Sequence, residues 1–409
     1  MSKKRPVRLR VGAGYNDREA TFFPPADWDI DVFPHRGASP MTEAGISRAF
    51  SRSVGALPIR ETARGARTAA ILVDDFRRPT PAEPLCLAIL DELREAGVPR
   101  EGISIILGGG AHRTMTQLEN KHRLGAVMGQ VGHVIPHDAF STDVSFVGLT
   151  SRATPVLVNR VAAEADFSVS VSTAYPHTLT GWGGGAKMVL PGIAHVSTST
   201  FHHTRISGGP WGCAPHLSPA RLDIEEAAAL MGLTMSVCAV MNGDKTLAGL
   251  RVGDPTRAHR SAVKLARKVC ETDLAGFSPD LVIANAYPFD GDPTQLSKTT
   301  IPGQRCGCPV LVIIDFADPC PWHGVYHGPR APYMKKPPGV VPERTPELLR
   351  DAQVFLYSPQ VGKGFAPADS TWYCDHDWDR LMSAMTKRFP GANVAVLPSA
   401  PLQMPINVG

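Results

Sequence analysis

The sequence predicts an α/β protein built on parallel sheet and divided into two domains. Three observations carry this. Apolar runs of strand length, Thr68–Val73 and Ile103–Leu107, each end in a loop rich in Pro, Gly or charge and lead into a helical segment, and a third run, Asp166–Ser172, ends in the same kind of loop. The chain has 409 residues, more than one ordinary core accommodates. The alternation restarts after Gly276-Phe277-Ser278-Pro279-Asp280, which reads as a linker. The expected division is therefore 1–275, an N-terminal α/β domain, and 276–409, a C-terminal α/β domain.

Residues 1–68 are irregular, with short strands expected at Leu9–Val11 and Trp28–Phe33 and a helix within Ser39–Leu57. Strand Thr68–Val73 ends at Asp74-Asp75-Phe76-Arg77-Arg78-Pro79-Thr80-Pro81, where the prolines forbid more strand, and Pro81–Gly97 continues as a helix closed by Gly97. Strand Ile103–Leu107, loop Gly108–Arg113 and helix Thr116–Gly125 repeat the unit. Val156–Ala165 reads as helix, Asp166–Ser172 as strand, Arg221–Gly232 as helix and Met235–Met241 as strand. A turn at Arg251–Pro255 opens helix Thr256–Thr272. The second domain offers strands Leu281–Ala284, Val310–Ile314, Val354–Tyr357 and Val394–Leu397, with helix Asp377–Arg388 before the last. Residues 315–345 form a long loop rich in Pro, Gly and His, a length that suggests a lid.

Composition narrows the class. The chain is 43% hydrophobic and 20% charged with a net charge of +4, and no polybasic run follows Lys3–Arg5, so nucleic acid is not expected as a partner. No apolar stretch approaches the ~18 residues of a membrane span, and no apolar segment follows the basic start as in a signal peptide, so a cytoplasmic protein is expected. The eight cysteines are expected to be free thiols. Their one cluster, Cys306, Cys308 and Cys320, matches no usual zinc spacing.

Chemistry concentrates in Ser172–His203, where His177, Lys187, His195, His202 and His203 surround the run Gly183–Gly185. Imidazoles bind metals or move protons near neutral pH, and a lysine in an apolar, tightly turning segment is made nucleophilic by burial. Arg77 and Arg78 suit a carboxylate or phosphate clamp, with a surface ion pair to Asp74 or Asp75 as the plainer alternative. His112 follows three glycines in a loop that could hold an anion. Gln295 and Lys298 lie three apart on one helix face of the second domain. In parallel sheets ligands sit beyond the carboxyl ends of strands. The Arg78, His112 and His177 loops all occupy that position, and the set suits general acid–base chemistry with an electrophilic cofactor.

Asp75-Phe-Arg-Arg78-Pro-Thr-Pro, Gly110-Ala-His112-Arg113, Tyr175-Pro-His177, Gly184-Gly-Ala-Lys187-Met-Val-Leu-Pro-Gly192, His203 and Gln295-Leu-Ser-Lys298 resemble the nickel-dependent lactate racemase family over about residues 65–300. The resemblance implies two Rossmann-like α/β domains with the active site in the interdomain cleft. The first would carry the cofactor and the catalytic histidines, and the second would close over the substrate. It implies a racemase or epimerase inverting C2 of a 2-hydroxy acid by proton-coupled hydride transfer through a 2-keto acid. The cofactor implied is a nickel-pincer nucleotide, a pyridinium-3-thioamide-5-thiocarboxylic acid mononucleotide tethered to Lys187 and supplied by cofactor biosynthesis enzymes. Nickel would be ligated by His203, with His202 as the fallback. His112 and His177 would be the acid and base, Arg78 and Lys298 would hold the substrate, and Asp75, Gly184, Gly185 and Gln295 would support the cofactor or substrate. Trp182, Thr294 and the loop around His323 and His327 differ from the family pattern and suggest a substrate larger or more polar than lactate. A metal-dependent lyase or hydrolase on the same histidines, a Lys187 Schiff-base enzyme, and a binding protein without turnover are the alternatives.

Overall fold

The computed structural model describes residues 6–292, 295–315, 325, 344–362 and 371–408. The chain forms two compact units. One is continuous from Ala38 to Val269; the other joins the residues up to Gly37 to those of 270–315 and of 344 onward.

The continuous unit is built on a six-stranded sheet. Its order is Leu247–Gly253, Met235–Met241, Phe167–Thr173, Ala69–Asp74, Ile103–Gly108, His133–Pro136. Only the first strand runs antiparallel to its neighbour. The four central strands are buried at every position, as parallel strands covered on both faces must be. From Ala69–Asp74 the chain steps outward to Ile103–Gly108 and His133–Pro136; from Phe167–Thr173 it steps the other way to Met235–Met241. The two central strands thus flank the point where the winding reverses, and the loops at their carboxyl ends diverge to leave a crevice.

Helix Ala82–Glu95 buries Leu85, Ile89 and Leu93. Helix Gln117–Leu124 starts on a full capping box between Thr116 and Glu119. Helix Pro219–Met231 has Pro at its start and Gly232 in the left-handed conformation at its end. Residues 156–159, expected to be helical, lie in a strand, Pro155–Asn159, paired antiparallel with Val144–Leu149. Helix occupies only Arg160–Ala163. The run Val156, Leu157, Val158, with its two β-branched valines, alternates burial as a hairpin strand does, which overrides the helical spacing. Of the turn expected at residues 251–255, the first three residues instead end a strand, Leu247–Gly253.

The second unit holds an all-parallel sheet ordered Tyr373–Asp375, Val354–Tyr357, Val310–Ile313, Leu281–Asn285, Asn393–Leu397, Asp29–Val32. Leu281 and Ile283 enter one apolar cluster and Val282 and Ala284 another, so each face carries a core. This corrects the expected domain of 1–275. Asp29–Val32 pairs with Asn393–Leu397, and Val7, Leu9 and Ile30 pack into the cluster of Leu281 and Phe355. The first 37 residues therefore belong with the C-terminal sheet. Most of the loop at 315–345, with His323, His327 and Cys320, and also Thr294, lies outside the described residues. The other seven cysteines are free thiols. Among the described residues no helix is long and apolar enough to cross a membrane.

Candidate active site

Three loops at the winding reversal carry the expected residues. The first leaves strand Ala69–Asp74 and bears Asp75, Arg77 and Arg78. Asp75 and Arg77 are both buried and pair at 3.0 Å, so Arg77 belongs to the interior and not to a surface ion pair. Burial alone would raise the Asp75 carboxyl. Arg77, Arg78 and His112 outweigh it and hold the group below the ordinary carboxylate range. Asp74 points elsewhere. It pairs with Arg123, accepts from Thr80 at 2.5 Å, and is held above the ordinary range because burial outweighs those partners.

Arg123, from helix Gln117–Leu124, also donates to the backbone carbonyls of Asp74 (3.0 Å), Arg78 (3.2 Å) and Thr80 (2.7 Å). One guanidinium thereby pins the backbone of the turn that presents Arg78. Arg78 lies over the Tyr175 ring, 6.0 Å from its centre, and Tyr175 in turn lies 6.0 Å from the His177 ring.

The second loop follows Ile103–Gly108 and carries His112, half-buried, behind Gly109. A Cβ on Gly109 would sit 3.4 Å from the Asp75 carboxylate and 4.0 Å from His112 Cβ, so the first and second loops lie side by side.

The third loop follows Phe167–Thr173. Pro176 and His177 pair with Trp182 and Gly181 in a tight hairpin, Gly181 supplying the positive φ of 66°. His177 Nδ1 accepts from the backbone N–H of Leu179 (3.1 Å) and Thr180 (3.4 Å), and its Nε2 lies 3.2 Å from Lys187 Nζ. Lys187 sits in a 3₁₀ turn, Gly185–Met188. Its neighbours Ala186 and Met188 are driven into the apolar cluster of Leu72, Ile106 and Ile224, which leaves Lys187, half-buried, directed to His177.

The glycines before Lys187 are required by what packs behind them. A Cβ would fall 2.5 Å from the Tyr175 ring at Gly183, 2.6 Å from the Thr173 carbonyl at Gly184, and 3.0 Å from His259 at Gly185. Arg221 Nη1 donates to the Gly184 carbonyl at 2.9 Å, His259 Nε2 donates to the Gly183 carbonyl at 2.8 Å, and Gly185 N donates to Ser172 Oγ at 2.8 Å. Arg221 is fully buried and pairs with Glu225 at 3.1 Å, which also holds Arg260 at 2.9 Å. Arg221, His259 and Arg123 escaped the sequence reading, yet a signal existed for the first two. Arg221 stands in register with Ile224 and Ala228, and His259 with Ala262, Val263 and Ala266, on otherwise apolar helix stripes.

Helix Val196–Arg205 supplies the remaining histidines. His195 caps it, accepting from Ser197 N at 3.2 Å. His202 is buried, with Nε2 donating to the Ala220 carbonyl at 3.0 Å. His203 donates Nδ1–H to the Ser199 carbonyl at 2.7 Å, which puts its ring lone pair on Nε2. Burial first, then His202, Lys187 and His112, push its imidazole down to about 4, so it is neutral at physiological pH. Neutral, with one nitrogen anchored to a carbonyl and the lone pair on the other, is the state a metal-ligating histidine needs. His202 meets the same description with its lone pair on Nδ1, but it is fully buried whereas His203 is half-buried, which favours His203 of the two. Among the described residues no three His, Cys, Asp or Glu are grouped to hold a metal by themselves.

Trp182, expected to shape the substrate pocket, is fully buried and donates its indole N–H to the Gly212 carbonyl at 3.2 Å. It packs the hairpin. Gln295 and Lys298 belong to the second unit, at the start of helix Leu296–Gln304; both are buried, and Lys298 Nζ donates to Gln295 Oε1.

The lactate racemase N-terminal domain model matches residues 15–210. The chain is 25% identical over 285 residues to the lactate racemase of Thermoanaerobacterium thermosaccharolyticum, a match covering 68% of this chain and 66% of that one. It is 26% identical over 297 residues to the lactate racemase of Lactiplantibacillus plantarum, covering 69% and 68%. Each match thus spans about two thirds of the relative's length. Among solved structures, the lactate racemase apoprotein from T. thermosaccharolyticum superposes with a TM-score of 0.69 at 18% identity, covering 98% of this chain and 100% of that one. A protein from Thermotoga maritima gives 0.63 at 17% identity, covering 90% and 99%. The chain is thus similar to lactate racemases, over residues 15–210 in the family model and over about two thirds of each curated relative.

Proposed function

We propose that this chain inverts C2 of a 2-hydroxy acid through a 2-keto acid, with Lys187 as the covalent anchor and His203 as the nickel ligand of a nickel-pincer nucleotide. The observation that carries the reading is the convergence at one crevice of Lys187, His177 at 3.2 Å from it, and a His203 that is neutral with its lone pair on Nε2. When bound, that cofactor would supply a hydride acceptor, which the side chains of a protein cannot.

The chain's own residues do the rest. Arg78, with its backbone pinned by Arg123 and its guanidinium near Tyr175, binds the substrate carboxylate. Asp75 stays ionised beside Arg77 and fixes the charge balance of the loop. A centre that inverts needs a proton-exchanging group on each face, and His112 and His177 come from different strands. Gly184 and Gly185 let the chain turn tightly enough to present Lys187, and Gln295 orients Lys298. Cofactor biosynthesis enzymes and a cytoplasmic setting belong to the same reading. A substrate larger or more polar than lactate remains part of the proposal on Thr294, His323 and His327. Trp182 lends it no support.

The test is intact mass and metal content of the chain produced alongside the cofactor-making enzymes. An adduct with about one nickel per chain is expected; Lys187→Ala loses both, and His203→Ala keeps the adduct and loses metal. His112→Ala keeps both and loses racemisation. Racemisation by His112→Ala near the wild-type rate would overturn the two-base scheme. A panel of lactate and longer polyhydroxy acids decides substrate size.

A further inference from the structure

The proton in the His177–Lys187 contact can be placed from geometry. His177 Nδ1 accepts from the backbone N–H of Leu179 at 3.1 Å and of Thr180 at 3.4 Å. A backbone N–H can only donate, so Nδ1 carries a lone pair. A neutral imidazole has one N–H and one lone pair, which puts the proton on Nε2. Nε2 is the atom 3.2 Å from Lys187 Nζ. An ammonium has three donors and no acceptor, so it would set donor against donor here; a neutral amine has the lone pair that Nε2–H requires.

We propose that His177 holds Lys187 as a neutral amine in the free chain, and that acylation of Lys187 releases His177 for proton exchange. The setting agrees. Ala186 and Met188, on either side of Lys187, are buried, and the fully buried Arg221 holds the carbonyl of Gly184 three residues earlier. An acylated or thioacylated nitrogen delocalises its lone pair and becomes a donor. It can no longer accept from Nε2–H, so the tether that installs a cofactor also frees the ring. His177 thus has two successive tasks, the first of which needs no cofactor. Only the second rests on the reading of Lys187 as the cofactor anchor.

The probe is limiting acetic anhydride at pH 7.5 on the free chain. The N–acetyl bond forms, the anhydride C–O bond breaks, acetate leaves, and the amine proton goes to buffer. Peptide mass spectrometry gives the rate at Lys187 relative to the exposed Lys121 and Lys264. His177→Ala should slow Lys187 about tenfold, the equivalent of ~1.4 kcal/mol, although it opens the site. His177→Gln, whose amide N–H can donate, should keep most of the rate. Equal rates in wild type and His177→Ala, or equal loss in both variants, overturns the proposal. Nitrogen-15 NMR needs no variant: a His177 ring protonated at Nδ1 in the free chain overturns the first half, and ring signals unmoved by Lys187 acetylation overturn the second. Neither measurement uses nickel or cofactor. Failure here leaves the anchor reading standing, and an absent adduct in the loaded chain leaves this one standing.

Discussion

Replacing Arg221 by Met asks how much one buried cation contributes to the segment that presents Lys187. The substitution keeps the aliphatic stem and removes the guanidinium. Two interactions go: the bond to the Gly184 carbonyl at 2.9 Å and the pair with Glu225 at 3.1 Å. A hydrogen bond to a charged group is worth ~1.5–3 kcal/mol, and breaking a buried pair by removing one partner costs ~3–5 kcal/mol. Two features pull the total down. Glu225 keeps Arg260 at 2.9 Å and is not stranded, and the desolvation of a fully buried arginine is recovered. A net loss of about 2–4 kcal/mol follows. Urea denaturation of the full chain, followed by a probe in the 38–269 unit, should show the midpoint falling with the slope unchanged. A loss under ~0.5 kcal/mol, the range of ordinary surface changes, would refute the view that Arg221 holds the glycine run in place.

Three further outcomes are expected. Gly184→Ala places a Cβ 2.6 Å from the Thr173 carbonyl at φ 79° and ψ −179°, a region open essentially to glycine alone, and should cost ~1–3 kcal/mol from the backbone before any clash is counted; an unchanged thermal midpoint would contradict it. Arg123→Met loosens the turn bearing Arg78 and should raise KM for the hydroxy acid on the order of fivefold, the cost of ~1 kcal/mol of positioning, with a smaller change in kcat; steady-state kinetics showing the reverse split would be decisive against it. Burial pushes His137 and His203 down from 6.5 to about 4, so the unfolded chain takes up protons first as pH falls. Stability should therefore decline from about pH 6.5 to about pH 4 and lose nothing more from these two groups below that. His137→Gln should flatten the slope of the urea midpoint against pH in that window, and an unaltered slope would count against the assignment.

The parts of the site visible in the sequence were those fixed by local pattern. Asp75, Arg78, His112, His177 and Lys187 follow strands whose apolar runs announce themselves, and a parallel sheet delivers such loops to one edge. What separates His202 from His203 was not visible, because it turns on which of two adjacent rings the packing buries completely. The hairpin at 144–159 was misread because Val156–Ala165 satisfies a helical spacing that strand pairing overrides. The placement of residues 29–32 was out of reach, since their partner strand begins at Asn393 and nothing local encodes so distant a pairing. Arg221 and His259 were legible in principle, as polar residues standing on apolar stripes; Arg123, on a helix whose buried residues are Asn120 and Leu124, was not.

That distant pairing carries a consequence for synthesis. A ribosome delivers ~5–20 residues each second, so after Asp29–Val32 emerges, its neighbour Asn393–Leu397 arrives only on the order of tens of seconds later. The segment from Ala38 to Val269 is complete well before then and contains every strand of its own sheet. The order of assembly is thereby set by topology. The unit bearing Lys187 can close first, while Asp29–Val32 waits as an unpaired edge of the kind chaperones shield.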